Sequence, residues 1–150
     1  MKTAICYLSQ HHGNTLKVIQ AMAETGSVDL IDITAPTPPD LAGYDLVGFA
    51  SGIYAFEFHP KTVEFLREHL PQGKRVFFVY TYGGAKGTGT RAIAQAAREK
   101  GAEILGQFGC RGHVTYGPFK LLGGAGKGRP NGEDLDRARA FFASIAEKIV

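Results

Sequence analysis

Short apolar runs alternate with amphipathic segments from one end of the chain to the other. Five runs have the length and composition of strands, and they occupy residues 2–8, 28–33, 45–50, 74–80 and 102–110. Four segments place apolar residues at helical spacing, and they occupy residues 15–25, 60–70, 88–100 and 133–149. Strands separated by helices favour right-handed βαβ crossovers. The pattern therefore predicts an α/β protein with a doubly wound parallel sheet covered on both faces.

Proline and glycine residues mark where several of these elements begin and end. Pro60 suits the first turn of the second helix, and Gly101 suits the end of the third. Residues 34–43 contain three prolines and leave room only for a brief helical turn near Asp40–Gly43. Residues 111–132 are rich in glycine and basic residues and form the one irregular region of the pattern.

Length and composition are those of one globular domain. The chain has 150 residues, of which 44% are hydrophobic and 21% charged, so we expect a single domain over residues 1–150. No apolar run approaches the length of a membrane span, and the N-terminus lacks a signal-peptide pattern. These features predict a cytoplasmic protein without membrane contact. Cys6 and Cys110 lie in apolar runs without metal-type spacing, which favours buried thiols.

Positive charge is concentrated in the second half of the chain. The formal net charge of +3 is too small to indicate nucleic-acid binding. No acidic residue lies between Glu103 and Glu133. The basic residues of that tract are Arg111, Lys120, Lys127 and Arg129. The asymmetry predicts a charge dipole and a cationic patch suited to an acidic partner.

The segment Ser9–Thr15 follows the first strand directly and opens the first helix. A helix N-terminus has unpaired N–H groups and a partial positive charge, and Gly13 lets the backbone approach a ligand closely. Such a cluster also serves as a simple N-cap, but its position after the first strand favours a phosphate site built from neutral donors. The predicted phosphate-binding residues are Ser9, Gln10, His11, His12, Gly13, Asn14 and Thr15.

Two further segments, rich in aromatic residues and glycine, follow the third and fourth strand candidates, and they span Ser51–His59 and Thr81–Gly89. In an open parallel sheet, ligands bind beyond the carboxyl ends of the strands. The aromatic side chains suit contact with a flat ring, and the glycines bring backbone donors to its polar edge. One phosphate beside one planar aromatic system describes FMN. The predicted ring-contacting residues are Ser51, Gly52, Ile53, Tyr54, Ala55, Phe56, Thr81, Tyr82, Gly83 and Gly84.

Other ligand chemistries fit this sequence less well. His11 and His12 are adjacent, point in different directions and lack a third ligand at suitable spacing, so we predict no metal site. The run Gly123–Gly128 lacks the Lys-Ser/Thr ending of a nucleotide loop and is interpreted as a surface loop. His59 fits either the entry of the second helix or a contact with the flavin, and no catalytic residue is predicted.

These segments resemble the flavodoxin family. The resemblance rests on Ser9–Thr15, Gly48–Tyr54 and Val79–Gly84, and it covers essentially the whole chain. It implies a five-stranded sheet of order 2-1-3-4-5 and noncovalent FMN, with the phosphate on the first segment and the ring between the other two. The chain departs from well-studied members in having no Trp and a pI of about 8.9.

The resemblance also implies one-electron transfer between redox enzymes. We therefore expect a low-potential electron carrier with protein redox partners, acidic ones by charge, and a monomer or weak dimer. The alternative is a small FMN-dependent oxidoreductase of the quinone reductase or protoporphyrinogen oxidase type. An enzyme must hold a second substrate over the flavin, and no insertion here forms a substrate lid, which favours the carrier.

Overall fold

Strands and helices alternate along the chain as the hydrophobic pattern predicts. The computed structural model describes residues 1–8, 13–24, 26–54, 57–83, 89–112 and 128–149. Its strands are β1 (Thr3–Leu8), β2 (Val28–Asp32), β3 (Leu46–Tyr54), β4 (Glu57–Phe58), β5 (Arg75–Tyr82) and β6 (Glu103–Arg111). Its α-helices are α1 (Asn14–Ala23), α2 (Pro60–His69), α3 (Arg91–Glu99) and α4 (Gly132–Glu147). A short 3₁₀ helix spans Leu41–Gly43, where the sequence predicts a brief helical turn.

Five of the strands form a parallel sheet in the order β2-β1-β3-β5-β6. Counted over these five, the order is the 2-1-3-4-5 arrangement that the resemblance implies, so the predicted fold is confirmed. The short strand β4 is not predicted by the sequence. It pairs antiparallel with the end of β3, where Ile53 lies opposite Phe58.

Helices cover both faces of the sheet. Helices α1 and α4 pack together on one face, and α2 and α3 pack together on the other. The alternating residues of β1 show this division. Ile5 packs in the core with Val18 and Phe142, whereas Cys6 packs in the opposite core with Leu66.

Two strand glycines make room for aromatic rings. A Cβ atom on Gly48 would lie 2.4 Å from a ring carbon of Phe77 on the neighbouring strand. A Cβ atom on Gly109 would lie 2.2 Å from the ring of Tyr80. Glycine interrupts these apolar strands because the adjacent ring occupies the space of its side chain.

Strands β3 and β5 run further toward the predicted site than the sequence indicates. The predicted ends were residues 50 and 80, but the strands end at Tyr54 and Tyr82. Ser51–Tyr54 were therefore wrongly assigned to a loop, as were Thr81 and Tyr82. The reason is tertiary pairing, because Gly52 pairs with Thr81 across the two strands and the end of β3 also pairs with β4.

The helix ends follow from the residues at their termini. Pro60 is the first residue of α2, and Gly101 follows α3 with a φ of +64°, as both were predicted to do. Helix α3 begins at Arg91 rather than at residue 88. Within the described ranges, no helix combines the length and apolar character needed to cross a membrane.

The two cysteines lie inside the protein, as predicted. Cys6 in β1 is 0% exposed, and Cys110 in β6 is 2% exposed. Burial raises the pKa of each thiol to about 12, because the apolar surroundings disfavour the thiolate.

Candidate functional site

The carboxyl ends of the strands bring the three predicted segments to one edge of the sheet. In alternating βαβ units, strand carboxyl ends and helix N-termini lie on the same edge, which is called the carboxyl edge below. The structure describes part of each segment. The first is described over Gly13–Thr15, the second over Ser51–Tyr54 and Glu57–His59, and the third over Thr81–Gly83 and at Gly89. The remaining predicted site residues lie outside the described residues, and they are Ser9, Gln10, His11, His12, Ala55, Phe56 and Gly84.

A hydroxyl pair joins the first segment to the third. Thr15 Oγ1 lies 3.1 Å from Thr81 Oγ1, and both residues are buried. Gly13 occupies the N-cap position of α1 with a φ of +65°, and its carbonyl accepts the first helical bond from Lys17 N at 3.1 Å. The first turn of α1 is therefore held against the end of β5, with its N–H groups at the carboxyl edge.

The end of β6 also contacts the first segment. Gly112 N donates to Tyr82 O at 2.9 Å, which places Gly112 beside Asn14. A Cβ atom on Gly112 would lie 2.6 Å from Asn14 Nδ2 and 2.9 Å from Asn14 Cβ. Glycine is required here because the chain passes directly over the first residue of α1.

Arg111, the last residue of β6, reaches the third segment. Its Nη1 donates to Gly83 O at 2.9 Å, and its Cζ lies 5.6 Å from the centre of the Tyr82 ring. Arg111 and Gly112 are not among the site residues predicted from the sequence. Their position at the end of the last strand is the sequence feature that could have identified them.

Two side chains of the second segment are used inside the protein. Ser51 is fully buried, and its Oγ donates to Gly52 O at 2.7 Å and accepts from His59 N at 3.3 Å. Ile53 is 5% exposed and packs in the core. The Ser51 hydroxyl thus ties the end of β3 to the start of α2.

Strand β4 joins the second segment to the third. Phe58 N donates to Gly89 O at 3.1 Å, and Glu57 bridges to Gly89 as an isolated parallel pair. Glu57 Oε2 accepts from Ala92 N, at 3.5 Å, in the first turn of α3. Glu57 is the single acid of the three predicted segments, and its negative charge lies where the α3 dipole favours it.

Aromatic rings line the interior side of this edge. The ring centre of Tyr80 lies 6.1 Å from that of Tyr82 and 6.5 Å from that of Phe58. Tyr80 is buried, whereas Tyr82 at the end of β5 is partly exposed. Tyr82, one of the predicted aromatic contacts, is therefore accessible within the third segment.

Comparison with known proteins identifies the family. A family model described as a flavodoxin domain matches residues 4–122. The chain belongs to the flavodoxin family. An uncharacterized protein of Methanocaldococcus jannaschii is 38% identical to this flavodoxin-family chain over 147 residues, which are 97% of this chain and 98% of that protein.

Solved flavodoxins share the fold. A flavodoxin from the domain Archaea superposes with a TM-score of 0.73 at 20% identity and covers 99% of both chains. A Fusobacterium nucleatum flavodoxin, solved bound to flavin mononucleotide, superposes with a TM-score of 0.67 at 12% identity over 99% of each chain. At these identities the likeness shows a common flavodoxin fold.

His59 is a helix-entry residue in this flavodoxin domain. Its Nδ1 accepts a hydrogen bond from Lys61 N at 3.1 Å and so caps α2. Burial, and secondarily the charge of Lys61, lower the pKa of His59 below its usual value. Both effects favour the neutral ring, which is the form that accepts this hydrogen bond.

The start of α4 is fixed by a buried carboxylate. Asp134 is 0% exposed; its Oδ1 and Oδ2 accept from Arg129 at 2.7 and 2.5 Å, and its Oδ1 also accepts from Arg137 at 2.6 Å. Asp134 Oδ2 and Asn131 complete a capping box, with Asn131 N at 2.8 Å. The hydrogen bonds from Arg129 lower the pKa of Asp134 to about 2.

This arrangement changes the role expected of Arg129. The sequence predicts Arg129 as one of the cations of an acid-free tract that would attract a partner. In the structure Arg129 forms an ion pair with Asp134, so it stabilises the start of α4. Lys120 and Lys127 of the same tract lie outside the described residues, and Arg111 remains exposed at the end of β6.

Proposed function

We propose that this protein is an FMN-binding electron carrier whose cofactor lies at the carboxyl edge. The observation that carries the proposal is the contact between Thr15 and Thr81 beside Gly112, which brings the ends of β5 and β6 onto the first turn of α1. Family membership supports a flavin-binding, electron-transferring role.

The first turn of α1 has the chemistry that a phosphate requires. Gly13 adds no side chain to the N-cap, and no acid lies in the first turn. Backbone N–H groups, the helix dipole and the Thr15 hydroxyl would therefore act on a dianion without competition from a carboxylate. Each charge-assisted hydrogen bond of this kind contributes roughly 1.5–3 kcal/mol.

The other two segments would hold the flavin ring. Gly52 and Gly83 present backbone close to the edge, and the Tyr82 ring is partly exposed next to them. The pairing of β4 with Gly89 joins the two segments, and the bond from Arg111 to Gly83 O ties the third segment to β6. In this proposal the remaining predicted residues of the three segments complete the site.

Bound FMN would supply one- and two-electron chemistry, and the chain would supply position and shielding. The side chains described at the edge bind the chain to itself: Thr15 to Thr81, Ser51 to His59 N, and Glu57 to α3. These contacts would fix the backbone that holds the ring. An electron carrier needs no more than this and a surface for its partner.

Titration of the apoprotein with FMN and with riboflavin tests the proposal. We expect one FMN per chain and riboflavin binding at least tenfold weaker, because riboflavin lacks the phosphate. Thr15→Ala should weaken FMN binding about tenfold, equivalent to about 1.4 kcal/mol, and leave riboflavin binding unchanged. Thr3→Val is the matched control, since Thr3 is a buried threonine at the start of β1, far from this edge.

The outcomes separate the alternatives. Equal affinities for FMN and riboflavin would contradict the phosphate assignment, and a protein that binds neither flavin would end the proposal. Rapid steady-state oxidation of NAD(P)H with a quinone by the FMN-loaded protein would replace the carrier by an oxidoreductase.

A further inference from the structure

We propose that three exposed cations at the carboxyl edge form a docking surface for the acidic face of a protein redox partner. The cations are Lys17, Lys61 and Arg91, called the edge cations below. The inference rests on the proposed function, because the partner is the protein that exchanges electrons with the bound cofactor.

Topology places the edge cations around the candidate site. Lys17 is the fourth residue of α1, Lys61 the second of α2 and Arg91 the first of α3. All three are exposed. Each thus lies on the opening part of a helix whose N-terminus faces the carboxyl edge, so that the cations surround the site from both faces of the sheet.

Their positions run against the preference of the helices. The positive end of a helix dipole favours acids and disfavours cations. Helices α1, α2 and α3 have no acid in the first turn, whereas α4 has Glu133 and Asp134 there. At α3 the Glu57 carboxylate, which comes from β4 and accepts from Ala92 N at 3.5 Å, supplies a negative charge from outside the helix. Cations in the opening turns of three helices on one edge, against acids in that of the fourth, indicate a surface selected for its charge.

The edge cations also lack ion-pair partners. Across the part of the chain that the structure describes, no carboxylate forms an ion pair with Lys17, Lys61 or Arg91. Exposed arginines elsewhere do find acids, as Arg67 does with Glu99 and Arg75 with Glu103, each at 3.7 Å. The charge of the edge cations is therefore available to a partner.

Three acids of this edge have hydrogen-bond partners. Asp32 accepts from Thr34 N and Oγ1 at 2.8 and 2.6 Å, Glu57 accepts from Ala92 N at 3.5 Å, and Asp134 is held by two arginines. Glu64, the fifth residue of α2, and Glu133 are the other acids near the described helix N-termini. In sequence, the segments that connect β5 to α3 and β6 to α4 carry Lys86, Lys120 and Lys127 and no acid. These connecting segments are therefore rich in positive charge.

An acidic protein fits this surface better than a nucleic acid does. The cations surround a proposed redox centre instead of following a linear path, and a single cofactor phosphate cannot occupy three separated helices. Charges around a redox centre steer an oppositely charged partner into close approach and raise the association rate by roughly 10- to 1000-fold. The partner expected is a redox protein with carboxylates around its own redox centre.

The test measures electron transfer to the FMN-loaded protein from a reduced, acidic [2Fe–2S] ferredoxin. The variant Lys17→Gln/Lys61→Gln/Arg91→Gln removes the edge cations. The control Arg67→Gln/Arg98→Gln/Lys100→Gln removes the same charge from the opposite ends of α2 and α3. Stopped-flow rates are recorded at low ionic strength and at 0.5 M salt, with basic cytochrome c as an electron acceptor of opposite charge.

We expect the edge variant to react with ferredoxin about tenfold more slowly than wild type at low salt, and the control variant to stay within twofold. High salt should bring all three proteins to similar rates, and cytochrome c should react faster with the edge variant. FMN affinity should be equal in all three. If the edge and control variants slow equally, net charge explains the effect and the docking surface is refuted.

Binding of fluorescently labelled ferredoxin and of duplex DNA to the flavin-free protein separates the two proposals. Absence of FMN binding would overturn the proposed function, while loss of ferredoxin binding in the edge variant alone would still support the surface. DNA binding that is tighter than ferredoxin binding and is lost in the edge variant would replace the acidic protein by a nucleic acid.

Discussion

The two edges of the sheet are held together by different groups. At the amino edge, where the strands begin, backbone bonds predominate: Thr3 N donates to Ser27 O at 3.1 Å, and Glu103 N donates to Lys74 O at 2.9 Å. The Lys74 ammonium adds bonds to two carbonyls, at 2.8 Å to Ala42 O and 2.6 Å to Tyr44 O. These bonds close the amino edge, although the buried Thr3 Oγ1 has no hydrogen-bond partner among the described residues.

At the carboxyl edge, side chains add several bonds to backbone bonds such as that from Gly112 N to Tyr82 O. Thr15 bonds Thr81, Ser51 bonds the backbone of His59, and Arg111 bonds Gly83 O. The difference indicates that substitutions at the amino edge act on stability alone. Substitutions at the carboxyl edge should act on ligand affinity as well, because the same side chains position the backbone of the candidate site.

The largest expected effect is at Asp134. Asp134→Ala removes a fully buried carboxylate that two arginines and the Asn131 backbone hold, and it should lower the free energy of unfolding by about 3 kcal/mol. Asp136→Ala is the matched control, because Asp136 lies two residues further along the same helix but is 79% exposed and pairs with Arg139 at 2.9 Å. Asp136→Ala should lower the free energy of unfolding by less than about 1 kcal/mol. Urea unfolding of both variants measures the two losses. Equal losses would contradict the larger contribution expected of the buried carboxylate.

The same carboxylate predicts a dependence on pH. The pKa of Asp134 falls from 3.8 to about 2 on folding. The carboxylate therefore contributes fully to the free energy of unfolding above about pH 4, and this contribution is lost as the pH falls from about 4 to 2. The loss is at most about 2 kcal/mol. Unfolding free energies at pH 6, 4 and 3 should therefore decline more steeply in wild type than in Asp134→Asn. Parallel declines would assign the acid sensitivity to other groups.

A smaller effect is expected at Gly112. Its Cβ would collide with Asn14, so Gly112→Ala should displace the first turn of α1, lower stability by about 1–2 kcal/mol and weaken FMN binding. Gly43→Ala is the control near the amino edge, since nothing lies within 4 Å of its added Cβ. Flavin titration and urea unfolding of both variants check this. A Gly112→Ala protein with normal FMN affinity would show that the end of β6 does not set the phosphate turn.

The smallest effect is expected at the amino edge itself. Arg75→Gln breaks a 3.7 Å pair with Glu103 in which both side chains are exposed, and it should change stability by less than about 1 kcal/mol. FMN affinity should not change. A measurable loss of flavin binding in this variant would mean that the two edges are coupled through β5 and β6.

The sheet and helices were predictable because burial repeats along the chain. Runs such as Val76–Val79 are apolar throughout, and Pro60 and Gly101 mark helix ends by their own backbone preferences. The extensions of β3 and β5 were not predictable. Ser51 and Thr81 are polar residues next to glycines and aromatics, and only pairing with strands distant in sequence makes them strand residues.

The candidate site was predictable in location but not in its internal contacts. The position of Ser9–Thr15 after β1 identified the edge, since ligand sites follow from topology in such sheets. The burial of Asp134 was not predictable from the sequence. An acid at the start of a helix is usually a solvent-exposed cap, and only the structure shows that Arg129 covers this one. The role of Gly112 was not predictable either. The chain has 20 glycines, and the sequence does not show which of them makes room for a neighbouring side chain.

The reactivity of the two buried cysteines can report on structural opening of the protein. With a pKa of about 12, each thiol at pH 8 is thiolate in only about one molecule in ten thousand, and each is shielded from reagents. Alkylation must then wait for the surrounding structure to open. Cys6 lies in an interior strand and Cys110 near the end of the sheet's edge strand. The ratio of their labelling rates would therefore compare the opening of the β6 side with that of the whole fold, without introducing a new residue.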